Sequence, residues 1–212
     1  QGKCKQSCSL PNVGFCISNN RMVAQASGEF ILLLNNDAEL LPDALRTLLS
    51  YASESSIPAI LSLPQYAADT GELVDIGNEL DPFLNPIPNQ RTSITSSGTI
   101  IGACFWLPKS LWNELGGFPD WFGSIAEDMY LCCVARLWGY QVLALPKSGF
   151  RHRLGASLGG ARIVDGKLST KINRRALSER NKSFVMILSY PWPALIFILP
   201  LHLFLLLLEG IF

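Results

Sequence analysis

Residues 30–39 read FILLLNNDAE, five apolar side chains in succession followed by Asn35, Asn36 and Asp37. Side chains alternate across a strand, so an unbroken apolar run belongs to a strand covered on both faces, as in the middle of an α/β sheet. Three polar side chains at its end must meet water, hydrogen bonds or a cation. The tip of this strand is therefore a candidate site, and the strand itself demands an apolar layer on either side.

The flanking sequence supplies those layers. Val13 to Ala26 has helical periodicity and stops at Gly28, a natural C-terminal cap residue. Pro42 and Asp43 open PDALRTLLSYA, where Leu45, Leu48 and Leu49 form an apolar stripe, with Pro42 in the first turn. AILSL is a second strand, ending at Pro64. Helix, strand, helix, strand predicts an α/β domain with a mainly parallel sheet and flanking helices. Gln65 to Ser97 is rich in turn formers and reads as a hairpin and an irregular loop. GTIIGACFWLP returns as a strand, KSLWNELGGF as a short helix ending at Gly116 and Gly117, IAEDMYLCCVARLWGY as a longer helix and QVLALP as the last strand. No repeat or low-complexity linker interrupts the chain up to Pro146, which predicts one domain over residues 1–165.

The 17 basic and 17 acidic residues balance to zero net charge, which argues against a nucleic-acid binder. The six cysteines, Cys4, Cys8, Cys16, Cys104, Cys132 and Cys133, show no C-x-x-C spacing, and reduced thiols in a cytosolic setting are expected. The sequence opens on Gln1 without a basic-then-apolar leader and reads as a piece of a longer chain.

The C-terminus differs in character. Residues 190–212, YPWPALIFILPLHLFLLLLEGIF, carry Glu209 as their only formal charge and reach the roughly 20 residues that cross a bilayer. Lys167, Lys171, Arg174, Arg175, Arg180 and Lys182 precede them. Such a basic flank places the globular part on the cytoplasmic face of a membrane, with residues 166–189 as a basic amphipathic connector helix. Pro193 and Pro200 suit an in-plane segment as well as a spanning one, and a buried C-terminal helix is the remaining reading.

Three groups of side chains can do chemistry. Asn35-x-Asp37 at a strand's carboxyl end can hold a divalent cation through one or two oxygens, with phosphate and water completing the shell. Alone, the same triplet reads as a turn or as the cap of the following helix. Glu127 and Asp128 open a helix, where carboxylates commonly serve the helix dipole. Beside aromatic walls from Phe118, Trp121 and Phe122, one of them can instead act as a general base. His152, in FRHRLGAS, is either a surface residue or a further metal or phosphate ligand.

The segments NVGFCISNNRMVAQASGEFILLLNNDAELLPDAL, GACFWLPKSLWNELGGFPDWFGSIAEDMYLCCVARLWGY, HRLGAS and ERNKSF, in that order, resemble the family 2 glycosyltransferases of the GT-A fold, the nucleotide-diphospho-sugar transferase fold, and most closely their rhamnosyltransferase-like branch. The resemblance covers most of Asn12 to Asn181. It implies that Asn12, Gly14, Asn19 and Asn20 lie beside the nucleotide with Asn35 and Asn36. It further implies that Asp37 binds Mg²⁺ or Mn²⁺, that Gly102 and Ala103 lie on the acceptor side with Trp121, Phe122 and Glu127, that Asp128 is the catalytic base, and that His152 and Ser157 face the diphosphate. The family's second acidic residue after the base is Tyr130 here, and its Arg is Val134, with Arg136 nearby. The family's first strand and helix, which hold the nucleobase, have no counterpart before Asn12.

The function so implied is an inverting, metal-dependent transfer of a sugar from a UDP- or dTDP-linked donor to a lipid-linked or envelope-glycan acceptor, beside a membrane. Two alternatives stand beside it: an inactive, membrane-tethered binding module of the same fold, and a metal-dependent nucleotidyltransferase, which would need a Gly-rich phosphate loop.

Overall fold

The computed structural model describes residues 12–93, 95–153, 162–164, 167–169 and 172–210. Cys4, Cys8 and Ser157 lie outside them. Helix α1 (Phe15–Gln25) leads into β1 (Phe30–Leu34) and β2 (Ala38–Leu40), followed by α2 (Ala44–Glu54), β3 (Ala59–Ser62) and β4 (Gln65–Ala67). Short strands β5 (Leu73–Asp75), β6 (Asn78–Leu80), β7 (Pro86–Pro88) and β8 (Thr95–Ser96) precede β9 (Cys104–Pro108). Then come α3 (Lys109–Leu115), α4 (Glu127–Leu137), β10 (Gln141–Ala144), β11 (Phe150–His152), β12 (Arg162–Val164) and β13 (Lys167–Ser169). Two helices, α5 (Ile172–Ser189) and α6 (Trp192–Leu208), close the chain.

The apolar run of β1 is explained by its two-sided burial. Ile31 and Leu33 belong to a core shared with Cys16 and Val23 of α1, Leu111 and Trp112 of α3 and Cys132 of α4. Phe30 and Leu32 pack the other way, against a second core built on Ala44 and Leu48 of α2. The main sheet runs β1-β9-β3-β10-β8. It is mixed, which corrects the expectation of a mainly parallel sheet: β3 and β10 pair in parallel, while β9 is antiparallel to both β1 and β3, and β8 is antiparallel to β10. The strand motif around CFWLP carries no direction in its composition, and β9 runs against its neighbours. Because β1, β3 and β10 point the same way, their carboxyl ends share one edge, and the reversed β9 brings its entry loop, residues 101–103, to that edge.

A second sheet, β2-β11-β4-β5, lies beyond those carboxyl ends. Its strands continue the chain from the first sheet, β2 after β1, β4 after β3 and β11 after β10. Gly149, between β10 and β11, crosses so close to β4 that a Cβ there would sit 2.7 Å from the Pro64 carbonyl oxygen, so the crossing requires glycine. Helix α2 begins at Ala44 rather than at Pro42, with Asp43 as its N-cap residue.

Helix α5 packs against the domain. Val185 and Met186, with Leu195 of α6, lie in the core that also takes α1, α3 and α4. Lys182 is buried, pairs with Glu179 at 2.8 Å and donates to Asn85 Oδ1 at 2.6 Å, fastening α5 to the turn between β6 and β7. Arg175 pairs with Glu209 and ties α5 to the end of α6. Among the described residues no helix is long and apolar enough to cross a membrane. The 17 residues of α6 span about 25 Å at about 1.5 Å per residue, short of a hydrocarbon core of about 30 Å.

Candidate active site

The turn of residues 35–37 sits at the carboxyl end of β1, closed by the Ala38 N–H donating to the Asn35 carbonyl at 3.0 Å. Asp37 does not cap α2, since Asp43 occupies that position and its carboxylate accepts from Ser148 Oγ at 2.7 Å. Across the second sheet, β11 pairs with β2 in the register His152 to Ala38, and the Arg153 N–H donates to the Asp37 carbonyl at 3.1 Å. That pairing places His152 Nε2 3.2 Å from Asp37 Oδ1. His152 is buried on a strand, not exposed in a polar loop, because β10 carries the chain over the sheet edge into β11 between β2 and β4.

Both groups are left short of partners. Asp37 Oδ1 and both ring nitrogens of His152 are buried without a hydrogen bond. Buried polar atoms of this kind are ordinarily satisfied. A carboxylate oxygen and an imidazole nitrogen converging without other partners fit a divalent cation. Among the described residues no third His, Cys, Asp or Glu joins them, so phosphate oxygens and water would complete the shell.

The reversed β9 links this end to the second carboxylate pair. The Asn35 N–H donates to the Ala103 carbonyl at 3.1 Å, and one residue earlier the Gly102 N–H donates to Asp128 Oδ2 at 2.7 Å. Asp128 Oδ1 accepts from the Met129 N–H at 2.7 Å. The loop 101–103 thus holds the turn of residues 35–37 with its carbonyl and Asp128 with its amide. Burial pushes the Asp128 carboxyl above its ordinary range, and the amide donors of Gly102 and Met129 oppose that rise. Glu127 is more deeply buried, with Oε2 unpartnered. Burial, and then the neighbouring Asp128 charge, push its carboxyl up as well. Of the two, Asp128 is the less buried and has both oxygens hydrogen-bonded to backbone amides, whereas Glu127 Oε2 has no partner.

The backbone before the pair is strained. Ile125 (φ 71°) and Ala126 (φ 67°) are both left-handed, at a cost on the order of 1–3 kcal/mol each. The preceding turn, Asp120–Phe122, presents Trp121 at the surface, 53% exposed, while Phe122 and Phe118 are buried in the core. Of the three expected aromatic walls, only Trp121 is open to a ligand.

The N-terminal residues take other partners. The Gly14 N–H donates to Asn12 Oδ1 at 3.0 Å, and Asn19 Nδ2 to the Phe15 carbonyl at 2.9 Å. Asn20 spends its whole amide on residues 118–120: Nδ2 donates to the Phe118 carbonyl at 2.7 Å and to Asp120 Oδ1 at 2.8 Å, and Oδ1 accepts from the Phe118 N–H at 3.0 Å. The structure therefore brings Asn35, Asp37, Gly102, Ala103, Asp128 and His152 together, leaves Asn36 exposed at the turn, and commits Asn20 to residues 118–120. A cavity of about 810 Å³ opens at the opposite end of α4, between Cys133, Arg136 and Tyr190, and none of these site residues lines it.

Comparison with known proteins fits this arrangement. The profile of glycosyl transferase family group 2 matches residues 30–212. The chain belongs to that family. It is 30% identical over 152 residues to the O-antigen biosynthesis protein RfbC of Myxococcus xanthus, an overlap of 66% of this chain and 12% of RfbC. Among solved structures it is similar to GalNAc-T7 with UDP, GalNAc and Mn²⁺, with a TM-score of 0.60 and 15% identity over 84% of this chain and 38% of that one. It is also similar to Staphylococcus aureus TarS 1–349, with a TM-score of 0.51 and 14% identity over 84% of this chain and 46% of that one. These likenesses establish the GT-A fold, and the chain spans less than half the length of each relative. Membership in family 2 sets the nucleotidyltransferase reading aside.

Two residues of this glycosyltransferase escape inspection of the strand ends. Arg180 and Asn181 stand in the ERNKSF segment of α5, far from either carboxylate in sequence, and only the packing of α5 reveals what they touch.

Proposed function

We propose that this family 2 glycosyltransferase transfers a sugar, with inversion, from a UDP- or dTDP-linked donor to a lipid-linked or envelope-glycan acceptor. The observation that carries the reading is the pairing of two half-sites across one loop, the partner-poor Asp37 and His152 on one side and the Gly102-bonded Asp128 on the other. Asp37 and His152 would hold the divalent cation, with Asn35 and Asn36 on the same turn beside the nucleotide. Bound there, the cation supplies Lewis-acid stabilisation of the charge that develops on the departing diphosphate. Asp128 takes the proton of the acceptor hydroxyl as that oxygen attacks the anomeric carbon from the face opposite the leaving group. One displacement inverts the anomeric centre. The relatives support the donor class: the GalNAc-T7 structure holds UDP, GalNAc and Mn²⁺, and RfbC is an O-antigen biosynthesis protein.

The test is transfer by the full-length protein from UDP- and dTDP-sugars, with the product anomer read by proton NMR. EDTA should abolish transfer, Mn²⁺ should restore it, and the product should have the anomeric configuration opposite to that of the donor. Transfer that persists without metal, or retention of configuration, overturns the proposal.

Membrane attachment by α6 belongs to the same proposal, in an in-plane rather than spanning form. Leu195, His202 and Leu206 face the domain, whereas Trp192, Ile196, Phe197, Phe204 and Leu207 are exposed, Phe197 by 76%. The exposed apolar side of α6 would seat in the headgroup boundary of the cytoplasmic leaflet. Glu at both Phe197 and Phe204 should cut binding to phosphatidylglycerol vesicles by at least about 10-fold, given about 1.5–3 kcal/mol per buried aromatic side chain. Undiminished flotation of the double variant with vesicles removes α6 from the membrane.

A further inference from the structure

The most completely buried polar side chain of α5 is Asn181, with no exposed surface. It lies under the strained segment that precedes the carboxylates. Asn181 Nδ2 reaches three carbonyls there, Phe122 at 3.2 Å, Ser124 at 3.0 Å and Ile125 at 2.7 Å. An amide has two hydrogens, so three acceptors share them. Arg180 fixes the amide's orientation by donating to Asn181 Oδ1 from Nε at 3.0 Å and from a terminal nitrogen at 2.9 Å, and it reaches the Phe122 carbonyl at 3.2 Å. Trp121 stacks edge-on against Phe184 of α5 at 4.8 Å, a second tie between the same two elements.

The clamp ends where the strain begins. Ile125 offers its carbonyl to Asn181 and is itself left-handed, as is Ala126, and Glu127 and Asp128 follow at once. Without a fixed donor at these carbonyls the left-handed pair relaxes, and the first turn of α4 rotates with it. We propose that Asn181, oriented by Arg180, is the positioning residue of the catalytic base: by holding residues 122–126 it sets Asp128 against the Gly102 amide and toward the acceptor. The proposal rests on Asp128 being the base. It makes the geometry of the base depend on the docking of α5, the helix that leads directly into α6.

In the full-length protein, Asn181→Ala should lower kcat for transfer from UDP- or dTDP-sugars by about 10–100-fold, the scale of a small misplacement of a reacting group. The Mn²⁺-dependent affinity for UDP, measured by calorimetry, should stay within about twofold of wild type, because the clamp touches neither Asp37 nor His152. The acid limb of the rate profile should move to higher pH, since the Gly102 N–H that lowers the Asp128 carboxyl is lost with the alignment. A residue acting only through Asp128 adds nothing once Asp128 is gone, so Asp128→Asn combined with Asn181→Ala should be no slower than Asp128→Asn alone. Arg180→Ala should give the same pattern with a smaller loss. It decides the matter if Asn181→Ala does not fold, because Arg180 lies at the surface. Unchanged kcat in Arg180→Ala and Asn181→Ala, a parallel loss of UDP affinity, or a double variant slower than Asp128→Asn overturns the positioning role. Wild-type transfer by Asp128→Asn sinks the assignment of the base itself and the clamp's purpose with it.

Discussion

Asp128→Asn should reduce glycosyl transfer by at least about 10²-fold, the lower end for loss of a general base, while the affinity for UDP with Mn²⁺ stays near wild type. The asymmetry comes from the site. Asp128 meets the Gly102 and Met129 amides and on the proposed reading faces the acceptor, whereas Asp37 and His152 would face the nucleotide. The amide that replaces the carboxylate keeps an oxygen for one backbone donor, so the fold should survive, but it has no basic lone pair to receive the acceptor proton. The neighbouring Glu127 supplies the internal control. Its carboxyl is buried with Oε2 unpartnered, while Asp128 is the one joined to the Gly102 amide, so Glu127→Gln should be far milder than Asp128→Asn. The pH dependence carries the same signature. Burial raises Asp128, so the ionised base is lost as pH falls through a value above the ordinary carboxylate range, and kcat should fall with it. Transfer that is lost in Glu127→Gln and kept in Asp128→Asn would assign the proton to the neighbour.

How much of the fold and site is legible in the sequence depends on how far apart the partners lie. β1 is readable because packing on both faces writes itself into consecutive residues, Phe30 to Leu33, although β1 stands at the edge of the main sheet and Leu34 is exposed. The ends of α3 and α4 are readable for a similar local reason, since Gly116 and Gly139 adopt positive φ where those helices stop. The strands β2 and β11 are three residues each, and neither AEL nor FRH shows a periodicity long enough to read. His152 therefore reads as a loop residue until β11 is laid between β2 and β4. The direction of β9 is equally silent: its residues alternate between the two cores whichever way the strand runs.

The same reasoning separates the side chains. Asp37 and Asp128 are legible from their places at a strand end and a helix start, which are local facts. The bond that joins their halves, from Gly102 to Asp128, spans the reversed strand and the whole of α3. Asn20 shows another non-local case, a side chain expected beside the nucleotide by resemblance whose amide bonds residues 118–120. Phe122 reads as a pocket wall by composition and is a core residue by position. Aromatic character alone does not say which face of a turn it occupies.

Asp37→Ala should abolish the Mn²⁺-dependent part of UDP binding and, with it, transfer. Of the two groups proposed to hold the cation, Asp37 is the oxygen donor. Its Oδ1 lies 3.2 Å from His152 Nε2, and neither atom has another partner. An imidazole left alone there offers one nitrogen to a cation that prefers oxygen ligands. His152→Ala should be milder for the complementary reason: it leaves the carboxylate, which a hydrated cation can still use alongside phosphate oxygens. The two variants should therefore rank Asp37→Ala well below His152→Ala in Mn²⁺-dependent affinity, read by calorimetry with UDP. Stability should move the other way. Removing the carboxylate takes away a buried oxygen that lacks a partner in the free enzyme, so the thermal midpoint of Asp37→Ala without metal should not fall, and the stabilisation that Mn²⁺ and UDP give wild type should disappear. Equal Mn²⁺-dependent affinity in wild type and Asp37→Ala would reduce residues 35–37 to a turn and move the cation elsewhere. A large metal-free loss of stability would make Asp37 a structural partner of His152 rather than a ligand.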